Sequence, residues 1–103
     1  MMLRTSHQRK TLCRDCPVAR VADLVGDSCS LLILRDLLER PQRFGDLQIS
    51  LAGVSSRTLS NKLKRLEKEK LVQRKQFNYT LTKKGAALQD IVEAMRKYGK
   101  KYL

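Results

Sequence analysis

Leu59, Leu63 and Leu66 recur at i, i+4 and i+7 within residues 53–76, the spacing of one buried stripe on an α-helix. At roughly 100° per residue the opposite face collects Arg57, Asn61, Lys64 and Lys68, with Arg65 towards one side. Ser55, close behind Gly53, can cap the helix by accepting bonds from its free amides. The first turn is then Ser56, Arg57 and Thr58, followed by Ser60 and Asn61. Arginine and asparagine are the side chains that read guanine and adenine edges in the major groove of DNA. The second half adds Lys62, Lys64, Arg65 and Lys68, which suit phosphates further along the groove. A solvated amphipathic helix would explain the leucines and lysines equally well. The flanking segments decide between the two.

Upstream, Phe44, Leu47 and Leu51 at i, i+3, i+7 predict a short helix, and Ala52-Gly53-Val54 is a tight turn into the next one. Two helices joined by a short glycine turn form a helix-turn-helix, with the basic helix second. Downstream, Leu71 to Phe77 is β-prone, Asn78 suits a turn residue with positive φ, and residues 79–81 form a return strand. Such a hairpin is a wing, and it sets Arg74 and Lys75 near its tip beside the DNA backbone or within reach of a minor groove.

The remaining segments supply support. Pro17 fits the first position of a helix capped by Cys16, with Val18, Val21, Ala22 and Val25 on one face and a stop at Gly26. Asp27 or Ser28 caps a second helix with Leu31, Leu34, Leu37 and Leu38, ended by Pro41. Thr82 caps a last helix whose stripe is Leu88, Ile91, Val92, Met95 and Tyr98. The expected fold is mainly α with a small β-hairpin: a winged helix-turn-helix of about five helices and a short wing. Residues 1–12 read as a flexible basic arm and residues 13–103 as the domain.

The chain has 103 residues and a net charge of +12, unevenly placed. Residues 55–76 hold eight Lys and Arg against two Asp and Glu, whereas residues 21–54 hold three against five. A locally basic surface points to a polyanion partner rather than to general solubility. The longest apolar run, residues 31–34, is far too short to span a bilayer, and three cysteines without an export signal favour a cytoplasmic location.

The order of elements and the wording together resemble the HxlR family of winged helix-turn-helix transcription regulators. The resemblance rests on Cys16-Pro17-Val18, Leu31-Leu-Ile-Leu-Arg-Asp-Leu37, Arg43-Phe44-Gly45-Asp46-Leu47 and Gly53-Val54-Ser55-Ser56-Arg57-Thr58-Leu59-Ser60. Glu69 to Arg74 and Tyr79 to Gly85 continue it, so that it covers residues 16–99. It implies a homodimer on operator DNA, pairing through the first and last helices. Here these offer Val18 and Val21 together with Leu88, Ile91, Val92, Met95 and Tyr98. It also implies oxidant or electrophile sensing by the cysteine before the proline, Cys16. Two departures stand out. Cys29 replaces a residue that is usually aromatic, and the wing is short, which leaves phosphate contact as the role of Arg74 and Lys75.

Cys16 also has a case of its own: unpaired helix-start amides favour a thiolate, and Cys13 could resolve an oxidised Cys16 as a disulfide. His7, Cys13, Cys16 and Cys29 could supply four zinc ligands, but only Cys13 and Cys16 have a paired spacing, so no metal and no cofactor is expected. A thiol-disulfide oxidoreductase would need a βαβ surround that is missing ahead of Cys13. No catalytic constellation is present. The rival partner to duplex DNA is RNA, as in a ribosome-associated winged helix, but RNA binders usually display stacking aromatics and this chain has only five aromatics, scattered. The inducer is not encoded in any readable motif.

Overall fold

The computed structural model describes residues 16–103. The arm, His7 and Cys13 lie outside the described residues, and so does any pairing of Cys13 with Cys16.

Helix α1 spans Pro17–Val25, with Cys16 at its cap position and Pro17 opening the first turn. The Cys16 side chain makes no capping hydrogen bond; its backbone carbonyl accepts from Arg20 N at 3.1 Å. Asp27 starts α2, Ser28–Glu39, by accepting from Ser30 N at 3.0 Å. The buried positions of α2 are Ser30, Ile33, Leu34, Asp36 and Leu37, rotated slightly from the expected stripe, with Leu31 and Leu38 only half-buried. Arg40, extended ahead of Pro41, ends it.

Helix α3, Phe44–Ser50, begins where Arg43 N donates to the Asp46 carboxylate at 3.0 Å. Leu51 N and Val54 N close the turn onto Leu47 O and Leu51 O, and Gly53 supplies the φ of +99° that turn requires. Helix α4 is Ser56–Lys68. It ends in a Schellman arrangement: Leu71 N reaches Leu66 O, Lys70 N reaches Glu67 O, and Lys70 sits at φ 65° in the left-handed region.

Strands β1 (Val72–Lys75) and β2 (Asn78–Leu81) pair antiparallel with Lys75 opposite Asn78. The positive φ falls on Gln76, at 56°, and Asn78 is the first residue of β2 rather than a turn residue. A partner absent from the sequence reading joins the wing. Gln42 pairs with Tyr79, N to O at 3.1 Å and O to N at 2.8 Å, adding a one-residue third strand.

The end of the chain differs from expectation. Thr82 caps only a single helical turn, α5 (Lys83–Ala86), through Gly85 N at 3.1 Å. Gly85 lies so close to the backbone that a Cβ there would meet Leu71 O at 2.1 Å. Helix α6, Gln89–Tyr102, starts afresh after Leu88. Leu88 is buried in the core and does not belong to the free stripe of α6. Five helices, one extra turn and a hairpin make up the described chain, a mainly helical winged helix-turn-helix. Its core gathers Val25, Ile33, Leu34, Leu47, Leu59, Leu63, Leu66 and Leu71, to which α6 contributes no fully buried residue.

Candidate nucleic-acid interface

The leucine stripe of α4 is anchored without remainder: Leu59, Leu63 and Leu66 are each no more than 1% exposed. That burial fixes which face looks outward. Arg57, Asn61, Lys64 and Lys68 are all exposed, spaced i, i+4, i+7 and i+11, with no ion-pair partner among the described residues. Ser56 is exposed beside them, and Ser60 is half-buried at the edge. Ser55 and Thr58 are occupied with one another: Thr58 N donates to Ser55 Oγ at 3.1 Å, and the two hydroxyls lie 3.0 Å apart. Their first task is to start the helix.

Lys62 and Arg65, named with the other cations of the second half of α4, are engaged within the fold at the flank of that face. Lys62 Nζ lies 3.4 Å from Asp27 Oδ2, and Arg65 reaches Asp27 Oδ1 at 3.9 Å. Arg65 Nη2 also donates to the backbone carbonyl of Asp23. Burial alone would raise the Asp27 carboxyl, but the Ser30 amide and the Lys62 charge outweigh it and hold the group below its ordinary value. Cys29, half-buried in the same corner, is pushed the other way, by burial first and then by the Asp27 charge, so its thiol stays protonated.

In the wing, Arg74 and Lys75 are exposed. Arg74 lies over the Tyr79 ring at 5.5 Å, on the strand face that Val72 also uses, while Lys75 stands at the tip. Phe77, 71% exposed at the tip, sits under the Arg43 guanidinium at 5.8 Å. The sequence singles out neither Arg43 nor Phe77, because their meeting depends on the Gln42–Tyr79 pairing.

Helices α1 and α6 flank an apolar groove of about 430 Å³ lined by Val18, Val21, Val25, Leu31, Ile91 and Met95 among others. Val18 is 77% and Met95 51% exposed, and the tilted rings of Tyr98 and Tyr102 lie 4.9 Å apart. Cys16 is exposed next to this groove, immediately before Pro17, which lines it. Among the described residues no group of three or more His, Cys, Asp or Glu could hold a metal ion. None of the described helices is long and apolar enough to cross a membrane.

Residues 24–103 match the model of the HxlR-like helix-turn-helix. The chain belongs to that family. Among its relatives, the uncharacterized HTH-type transcriptional regulator sll1512 of Synechocystis sp. is 34% identical over 95 residues, covering 85% of this chain and 70% of the relative. The HTH-type transcriptional regulator YodB of Bacillus subtilis is 30% identical over 95 residues, covering 84% and 85%. The fold superposes on quinone-bound YodB with a TM-score of 0.77 at 32% identity, over 84% of this chain and all of that one. The reduced form of the redox regulator HypR gives 0.78 at 25% identity, over 82% and 91%. The relatives are named as transcriptional regulators, and no enzyme family is indicated.

Proposed function

We propose that this HxlR-type regulator binds duplex DNA in a sequence-dependent way as a homodimer, reading each half of a two-fold symmetric site with α4. The observation that carries the proposal is the row Arg57, Asn61, Lys64 and Lys68, exposed on a helix whose opposite face is fully buried. Arg57 and Asn61, near the helix start, take base edges, while Ser56 and Ser60 fit alongside. Lys64 and Lys68, with Arg74 and Lys75 of the wing, take phosphates. Ser55 and Thr58 set the end of the helix against the groove.

The groove between α1 and α6 is the surface of the homodimer. Its apolar lining supports an isologous pairing in which each copy covers the other, and two α4 helices then lie about one DNA turn, roughly 34–36 Å, or a multiple of it apart. Cys16 is the candidate sensing thiol. It is exposed at the start of α1, and the structural relatives include a quinone-bound YodB and a redox regulator. An adduct there would shift α1 within the dimer and alter the spacing of the two α4 helices.

The test is selection of bound duplexes from random DNA in reducing and in quinone-treated buffer, with wild type and Cys16→Ser. A palindromic motif in reducing buffer, lost on treatment in wild type and kept in Cys16→Ser, is the expected result. Recovery of unenriched sequences in reducing buffer would overturn the reading.

A further inference from the structure

Two cations of α4 turn to the flank of the proposed DNA surface, into the corner between α1 and α2. Arg65 Nη2 donates to the carbonyl of Asp23 in the last turns of α1, and Arg65 Nη1 lies 3.9 Å from Asp27 Oδ1. Lys62 Nζ lies 3.4 Å from Asp27 Oδ2, the same oxygen that caps α2 through Ser30 N at 3.0 Å. One carboxylate therefore holds the start of α2 and the flank of α4 together. One guanidinium holds α4 to both that carboxylate and the backbone of α1. The planar fork of arginine serves two acceptors in fixed directions, which the single ammonium of lysine does not.

We infer that Asp27, Lys62 and Arg65 are positioning residues: they set the orientation of α4 against α1 without touching DNA, and a displacement of α1 reaches the reading face through Arg65. The inference rests on the DNA-binding function proposed above. It differs in sign from the simpler alternative, in which Lys62 and Arg65 are phosphate ligands that merely rest on Asp27 in the free protein. Under that alternative, Asp27→Asn removes an anion near the DNA and frees two cations, so affinity rises. Under positioning, Asp27→Asn loosens α4 and operator affinity falls. Asparagine remains a good helix cap, so α2 keeps its start.

The experiment titrates a selected duplex over a range of salt with wild type, Asp27→Asn, Arg65→Lys, Arg65→Gln, the Asp27→Asn/Arg65→Lys double variant, and Arg57→Ala as control. Denaturant melts accompany each. Asp27→Asn and Arg65→Lys should each weaken operator binding on the order of tenfold, a usual size for coupling between sites. The double variant should be no weaker than the worse single, as expected of partners in one network. The salt slope of Arg65→Gln should equal that of wild type, whereas loss of a phosphate contact would lower it by roughly 0.9. Tighter binding by Asp27→Asn, wild-type affinity in Arg65→Lys, or a reduced slope in Arg65→Gln overturns the inference. Should Asp27→Asn melt below the assay temperature, Arg65→Lys decides alone, since it keeps both charge and stem. If Arg57→Ala binds like wild type, the DNA reading itself has failed. If Arg57→Ala weakens binding while Asp27→Asn and Arg65→Lys do not, only the positioning role has failed.

Discussion

Helices α4 and α6 carry the same kind of apolar stripe and meet opposite fates. In α4 the stripe Leu59, Leu63 and Leu66 disappears into the core, and the cationic face is what remains. In α6 no residue is fully buried; Ile91 and Met95 stay open along a groove shared with α1, and Tyr98 is exposed as well. Both stripes have helical period, so period identifies an apolar face but not what covers it. The cover depends on how much core the other elements have already filled. Ile33, Leu34, Leu47 and Leu71 close over α4, while α6 rests mainly on α2 along one side.

That contrast can be broken by substitution. Leu63→Ala, at a site 1% exposed, should cost about 2–5 kcal/mol in urea unfolding because the close-packed surroundings cannot collapse into the space. A loss below about 1 kcal/mol would mean that α4 is not anchored as described. Met95→Asp should act elsewhere: on the homodimer proposal it weakens self-association by at least about tenfold in sedimentation equilibrium. A wild-type sedimentation profile for Met95→Asp would leave the α6 stripe without its proposed cover.

The way α4 stops offers a smaller effect of opposite sign. Lys70→Gly should stabilise the fold by up to about 1 kcal/mol, since φ 65° suits glycine and strains lysine. No gain in the melting midpoint would indicate that the turn relaxes in solution. Smallest is a pH effect at Asp27. Its folded carboxyl lies below the ordinary value, so its contribution is present above the unfolded value of about 3.9 and fades as pH falls through the folded one. Acid titration of stability should therefore be flatter in Asp27→Asn than in wild type below about pH 4. Identical acid limbs would remove Asp27 from the corner network.

Much of the fold is legible because its boundaries are chemical. Asp27, Ser55 and Thr82 each cap where a short polar side chain follows a break, and Gly53 marks the helix-turn-helix turn. The exposed row on α4 follows directly from the leucine period. What escapes the sequence depends on contacts between distant residues. Arg65 finds the Asp23 carbonyl across 42 positions, so a cation that looks available on a helical wheel is engaged in the fold. Gln42 pairs with Tyr79 and draws Arg43 towards Phe77 for the same reason. The split between α5 and α6 is not marked at its own position, since the nearest glycine, Gly85, lies inside α5. It follows from Leu88 turning into the core, after which the chain restarts at Gln89. The Cys16 position is readable from Pro17, but its side chain does not perform the capping that its position suggests.

The central claim is that the outward face of α4 reads bases. The direct measurement is the sequence preference of Arg57→Ala and Asn61→Ala, determined separately on libraries randomised one position at a time around the selected duplex. Each variant should lose discrimination at one base pair per half-site, worth about 1–3 kcal/mol, while Lys68→Ala weakens all sequences alike. If Arg57→Ala and Asn61→Ala both keep the wild-type preference at every position, α4 is not the reading element.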